Sequence, residues 1–171
     1  MIYLLPVLMA GALDLPGEID AAKAELAKSR TPELLNRLGF FLMESGKFTD
    51  AQGQFEEALR LRTDFAVAEN NLGVCLLKQG RPKDAAPHFE RAVLLKPDYA
   101  KAAFNAAVAY FRQKSYLKAY KWYNKAKKID KAYVEERGKK DKVDRELNEG
   151  IQNDPSNPML QKAKRLLDSP S

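Results

Sequence analysis

The sequence has 171 residues, of which 45% are hydrophobic and 30% are charged, and its formal net charge at pH 7 is +6. These values are typical of a single soluble domain that buries a core of its own. One cysteine excludes an internal disulfide, and one cysteine with one histidine excludes a zinc site built from these two residue types. Residues 112–145 hold 13 Lys and Arg against 5 Asp and Glu, so an anionic partner would be sought there.

Residues 1–13 form an uncharged and almost wholly apolar segment at the start of the chain. The segment is shorter than the roughly 20 residues of a membrane-spanning helix. Its apolar run, followed by Ala10-Gly11-Ala12, resembles a secretory signal, although no Lys or Arg precedes it. Two interpretations stay open. An export signal would place the protein in the periplasm or the cell envelope, whereas an apolar segment that folds against the rest of the chain fits a cytoplasmic protein. Membrane contact is expected only through these residues.

A flanking helix is predicted over residues 14–31, either as a cap or as the second half of a degenerate repeat. After it, four columns of residues recur three times at a spacing of 34 residues. The columns are Gly39, Gly73 and Ala107; Ala51, Ala85 and Ala119; Phe55, Phe89 and Tyr123; and Ala58, Ala92 and Ala126. Such a period marks stacked supersecondary units, and the apolar spacing predicts two helices in each unit. The small residues are expected where the two helices approach most closely, with the aromatic side chain filling the space beside them.

These columns resemble the tetratricopeptide repeat (TPR) family, whose pattern adds Leu-Gly in the first helix and Pro at the end of the unit. Leu38-Gly39 and Leu72-Gly73 match the first feature, and Pro97 matches the second. The resemblance implies an all-α fold, an α-solenoid of helix-turn-helix repeats at 32–65, 66–99 and 100–133. The third copy departs from the pattern, since Lys114 stands where Gly is usual and Lys131 where Pro is usual.

Beyond the third copy, residues 134–157 are predicted to form a degenerate, basic helical extension, and residues 158–171 a capping helix and tail. A repeat-like ending at Asp154-Pro155 falls 24 residues after Asp130, about ten fewer than the period requires. Lys127 replaces the apolar residues that should pack on a following unit. Regular stacking is therefore expected to stop here, with a polar-backed helix closing the array.

The resemblance implies a non-enzymatic adaptor that binds a peptide or an amphipathic helix of another protein on the concave face of its first helices. Twelve residues are expected to form this groove: Asn36, Phe40, Met43, Asn70, Asn71, Val74, Leu77, Lys101, Phe104, Asn105, Val108 and Phe111. The same face also carries Glu44, Lys78 and Arg112. The aligned apolar residues predict a continuous strip, and the asparagines are expected either to hold a bound backbone or to satisfy backbone groups nearby.

The chaperone-binding members of the family clamp a terminal carboxylate with two Lys, two Asn and an Arg. Lys101 and Asn71 match two of those positions, but Asn36, Phe40 and Asn105 replace the other three residues. Capture of a terminal carboxylate by that set is therefore not expected, and an apolar peptide or helix is favoured.

No catalytic, cofactor or metal site is predicted. Cys75 and His88 align with core or near-core positions of the other copies, and no glycine-rich phosphate loop is present. The alternative function is binding of nucleic acid or an anionic surface through residues 112–145, where lysines alternate with aromatic residues. Because Ala119 and Tyr123 belong to the repeat core, solvated lysines on a packed helix are the favoured interpretation of this segment.

Overall fold

The structure, a computed structural model, describes residues 14–140 together with residues 158, 161 and 165. Between residues 14 and 140 the chain forms eight α-helices and no strand, as the all-α prediction requires. The helices are α1 (Leu15–Lys28), α2 (Pro32–Glu44), α3 (Phe48–Leu61), α4 (Ala66–Lys78), α5 (Pro82–Leu95), α6 (Ala100–Arg112), α7 (Tyr116–Ile129) and α8 (Lys131–Lys140). The apolar segment 1–13, most of the extension 134–157 and most of the tail 158–171 lie outside the described residues. None of the described helices is both long and apolar enough to cross a membrane.

The helix starts and turns follow from local sequence. Thr31 caps α2 by accepting a hydrogen bond from the backbone N–H of Leu34 at 3.3 Å, and Pro at the next position fits the first helical turn. The turns inside the first two repeats need a left-handed residue, which is Gly46 with φ 81° and Gly80 with φ 75°. Lys114 adopts φ 60° at the third turn, where a side chain disfavours this conformation.

The two helices of a repeat pack closely because a glycine lies beneath an aromatic ring. A Cβ atom added at Gly39 would lie 2.7 Å from the ring of Phe55, and one at Gly73 would lie 2.6 Å from the ring of Phe89. Both rings are fully buried. The predicted role of the small columns is therefore confirmed in the first two repeats. In the third repeat the equivalent aromatic residue, Tyr123, is half-buried.

The helix α1 does not follow the period of the repeats. Its buried residues, Ile19 and Ala22, join the core of the first two repeats. The position one period before Phe55 is Ala21, which is exposed. α1 therefore packs on α2 in a register of its own.

α8 joins the array through one connecting residue, Asp130. The backbone N–H of Asp130 donates to the Ala126 carbonyl at 2.9 Å and ends α7. Its carboxylate accepts a hydrogen bond from the N–H of Tyr133 at 2.9 Å and caps α8. Earlier repeats have four connecting residues here, so α8 begins at Lys131 and not at position 134, where the period would place it. The predicted boundary at residue 133 thus falls inside α8, whose Val134 is buried in the core of the third repeat.

Candidate partner-binding groove

The first helices of the three repeats line a concave cavity of about 410 Å³, and α8 contributes one residue to its wall. The lining residues are Phe40, Met43 and Glu44 from α2; Asn71, Val74, Leu77 and Lys78 from α4; Lys101, Asn105, Val108 and Arg112 from α6; and Arg137 from α8. Because the helices are stacked side by side, equivalent positions of successive repeats become neighbours in space. The cavity is called the groove below.

Eight of the twelve residues predicted from sequence line the groove, and four do not. Two of these four are buried and cannot contact a ligand in the groove, since Asn70 is 0% and Phe104 1% exposed. Both occupy the same repeat position, which faces the next unit instead of the concave surface. Phe104 packs edge-on against Tyr133 of α8 with 6.3 Å between ring centroids. Phe111 is half-buried and packs against Tyr116 of α7 at 5.6 Å.

Asn36, the fourth, is the end of a chain of asparagine side chains that crosses the three repeats. The Nδ2 of Asn105 donates to Oδ1 of Asn70 at 2.9 Å, and the Nδ2 of Asn70 lies 3.4 Å from Oδ1 of Asn71. The Nδ2 of Asn71 then donates to Oδ1 of Asn36 at 2.9 Å. The asparagines thus bind one another across repeats, a role that neither sequence-based interpretation included. Since Asn71 and Asn105 also line the groove, they can offer their remaining polar atoms to a ligand.

The apolar part of the groove combines buried and exposed side chains. Met43 and Leu77 are 4% and 9% exposed, so they form a packed floor that a ligand can cover but not move. Val74 and Val108 are half-buried, and Phe40 is 39% exposed. Five of the six apolar residues predicted to form a strip therefore line the groove, and Phe111 does not. The strip offers its largest uncovered area at Phe40.

Charged side chains border the apolar floor, four of them basic and one acidic. The Nζ of Lys78 lies 3.7 Å from a carboxylate oxygen of Glu44, so these two charges are paired across α2 and α4. Arg112 donates from Nη1 to the Leu77 carbonyl at 3.4 Å. The Lys101 side chain is exposed and makes no hydrogen bond or ion pair within the described part of the chain. The groove therefore combines an apolar floor with a positively charged border.

Arg137 was not predicted as a groove residue. It lies on α8, which begins three residues earlier than the period requires, so counting in steps of 34 does not find it. The sequence does carry one sign of its position. Tyr133, Val134 and Arg137 follow helical spacing, and the first two of these residues pack inward.

Cys75 and His88 lie away from the groove and have partners inside the protein. The thiol of Cys75 is fully buried and donates to the carbonyl of Phe48 at 3.2 Å, and burial raises the pKa of this thiol. His88 Nδ1 lies 2.7 Å from a carboxylate oxygen of Glu69, whose other oxygen lies 3.6 Å from Nε of Arg91. Within residues 14–140 there is no group of three or more His, Cys, Asp or Glu arranged to hold a metal ion.

The aromatic residues of the basic segment 112–145 pack inward where the structure describes them. Tyr116 and Tyr123 are half-buried, and each contacts a phenylalanine of α6. Trp122 is half-buried between the two largest core clusters, and the Nζ of Lys125 lies 4.9 Å from the center of its ring. The stacking platforms that would suit a nucleic acid are therefore partly used by the fold itself.

Several solved structures have a similar fold. A crystal structure of MamA matches with a TM-score of 0.68 and 23% identity, over 91% of this chain and 88% of that chain. YrrB, described as a TPR protein with an unusual peptide-binding site, matches with a TM-score of 0.65 and 23% identity, over 74% and 66%. The first TPR of Spaghetti, bound to the HSP90 peptide SRMEEVD, matches with a TM-score of 0.60 and 18% identity, over 82% and 96%.

The sequence itself matches the family model described as tetratricopeptide repeat, over residues 42–93 and 71–134. No curated protein matches the sequence. The matched segments together span more than half of the chain and cover α3 to α7, which hold most of the positions that recur every 34 residues. The chain therefore belongs to the tetratricopeptide repeat family.

Proposed function

We propose that the protein is a non-enzymatic interaction module that binds a segment of a partner protein in the groove. The observation that carries this proposal is the groove itself, in which Phe40, Val74 and Val108 from three successive repeats face one cavity of about 410 Å³. An exposed apolar surface within a concave site is a usual mark of ligand binding. Two structures of similar fold bear names that refer to peptide binding, which is consistent with this role.

The groove suits a peptide segment for two physical reasons. Its apolar floor is already packed, so a ligand side chain that covers it gains contact area without reorganising the protein. The amides of Asn71 and Asn105 lie beside that floor and can pair with a ligand backbone, each such hydrogen bond contributing about 0.5–1.5 kcal/mol net. Apolar side chains would then supply most of the binding free energy and the amides would fix the orientation.

The experiment selects ligands from a phage library of random dodecapeptides and measures their affinity by fluorescence anisotropy. Phe40→Glu replaces the most exposed apolar side chain of the groove with a charged one and is expected to weaken binding at least tenfold, which corresponds to about 1.4 kcal/mol. Leu94→Glu is the matched control, since Leu94 is 73% exposed on α5, outside the groove. Equal losses in both variants, or no loss in Phe40→Glu, would contradict the proposal.

The alternative, an anionic partner bound through residues 112–145, predicts a different order of effects. Lys121→Glu together with Lys125→Glu would then abolish binding, whereas Phe40→Glu would have no effect. Affinity for such a partner would also fall steeply with added salt, because each neutralised phosphate releases counterions. A groove ligand held by apolar contacts depends on salt much less.

A further inference from the structure

A second concavity lies at the edge of the array, where the first helices turn into the second helices. It has a volume of about 510 Å³ and is formed by the turns of the second and third repeats. Its lining residues are Gly80, Arg81, Pro82, Lys83, Asp84, Arg112, Gln113 and Lys114. Arg112 therefore borders both the groove and this second cavity, which is called the turn cleft below.

The turn cleft carries four basic side chains and one carboxylate. Asp84 pairs with Arg81, whose Nε lies 2.7 Å from a carboxylate oxygen. Lys83 is exposed, as is Lys114, and neither side chain makes a hydrogen bond or ion pair with another residue in the described ranges. With its only carboxylate already paired, the cleft presents uncompensated positive charge.

The turn that presents Lys114 is held in place on both sides of the cleft. Gln113 donates from Nε2 to the carbonyl of Pro82 at 2.9 Å, which ties the third turn to the second. Lys114 itself has φ 60°, at a position that Gly80 fills in the preceding repeat. A lysine in this conformation is disfavoured relative to glycine, so its presence places a positive charge at the cleft at a cost to the local backbone.

We propose that the groove ligand is a segment of a partner protein with an apolar centre and with acidic side chains on the side that leaves the groove over the turn cleft. This inference rests on the proposed function and adds the chemistry of the partner. The apolar centre would cover the floor beside Phe40, and the acidic side chains would cross Arg112 and meet Lys83 and Lys114. The 13 residues of α6 span about 20 Å, which an extended peptide crosses with about six residues. A dodecapeptide therefore reaches from the groove into the cleft.

The same phage library tests the proposal, because its peptides are fused to the coat protein and have no free carboxyl terminus. Peptides selected by the wild-type protein should carry an apolar part and, at one end of it only, Asp and Glu residues. When the double variant Lys83→Gln with Lys114→Gly is the target of the selection, the selected peptides should keep the apolar residues but lose the acidic enrichment. Since glycine relieves the strained turn, the double variant removes two charges without threatening the fold.

Affinity measurements give the second readout. An acidic peptide selected by the wild-type protein should bind the double variant about three- to tenfold more weakly, as expected for two exposed ion pairs, and its remaining affinity should respond less to salt. The control, Lys121→Gln with Lys125→Gln, also removes two charges but lies outside the cleft, and it should leave the affinity unchanged.

Three outcomes separate the two proposals. Selected peptides that require Phe40 but show no acidic enrichment would overturn the inference and leave the proposed function standing. The same would follow if acidic enrichment persisted in the double variant. Selected peptides that do not require Phe40 would instead overturn the proposed function, and the inference with it.

Discussion

Replacing Gly73 by alanine should destabilise the protein, although alanine is the better helix former. The added Cβ would lie 2.6, 2.8 and 2.9 Å from three ring atoms of Phe89, a side chain with 0% exposure. Carbon atoms in contact prefer about 3.5–4.0 Å, so the ring or the helix must shift by about 1 Å. Overpacking of this kind costs about 1–3 kcal/mol, whereas the change from glycine to alanine in a helix returns about 1 kcal/mol.

The matched control is Gly53→Ala in α3. Gly53 is exposed and a Cβ added there meets no atom within 4 Å, so this variant should gain the full helix propensity of about 1 kcal/mol. Since both variants gain the same propensity, the difference between their free energies of unfolding isolates the steric cost at Gly73. Urea denaturation followed by far-ultraviolet circular dichroism measures that difference, which should be about 1–3 kcal/mol. Equal stabilisation of both variants would refute the close approach of α4 and α5.

Three further outcomes are expected. Lys114→Gly should raise the free energy of unfolding by about 1 kcal/mol in urea denaturation, since φ 60° suits glycine; unchanged stability would argue against a left-handed turn. Burial and the hydrogen bond to Glu90 raise the pKa of Tyr110 to about 12, so the stability it contributes is present below pH 10, its ordinary pKa, and is lost as the pH rises from 10 to 12. Tyr110→Phe should make the urea midpoint fall less over that range. The buried Cys75 thiol should react with a maleimide only as fast as the protein opens; immediate labelling of the folded protein would contradict its position in the core.

The fold could be predicted from sequence because close helix packing leaves few choices at the crossing points. Gly39 and Gly73 lie under buried rings, and any residue with a Cβ would clash there. This requirement appears as two glycines 34 residues apart, and it relaxes in the third repeat, where Ala107 carries a Cβ atom. Even the departures of the third copy have structural counterparts. Lys114 takes the left-handed turn conformation in place of glycine, and Tyr123 is only half-buried.

The groove could be predicted only in part, because the period identifies a helix position but not the exact direction in which it points. Asn70 and Phe104 share one position and both turn toward the next repeat. In a sequence, asparagine at such a position looks like a ligand-binding residue. In the structure Asn70 is buried, and its side chain forms hydrogen bonds with neighbouring asparagine side chains. Arg137 could not be found by counting, since its place depends on the shortened connection at Asp130.

If the groove binds a ligand as proposed, the single connecting residue Asp130 links the position of α8 to the amount of protein that can bind. α8 is held by the Asp130 cap and by the packing of Val134, and local unfolding of this helix would break both contacts. When α8 is open, Arg137 is absent from the groove wall. A ligand that contacts Arg137 therefore selects the closed molecules, and its apparent dissociation constant rises in inverse proportion to their fraction. Bound ligand should in turn slow hydrogen exchange of the α8 amides, although most of its contacts lie on other helices.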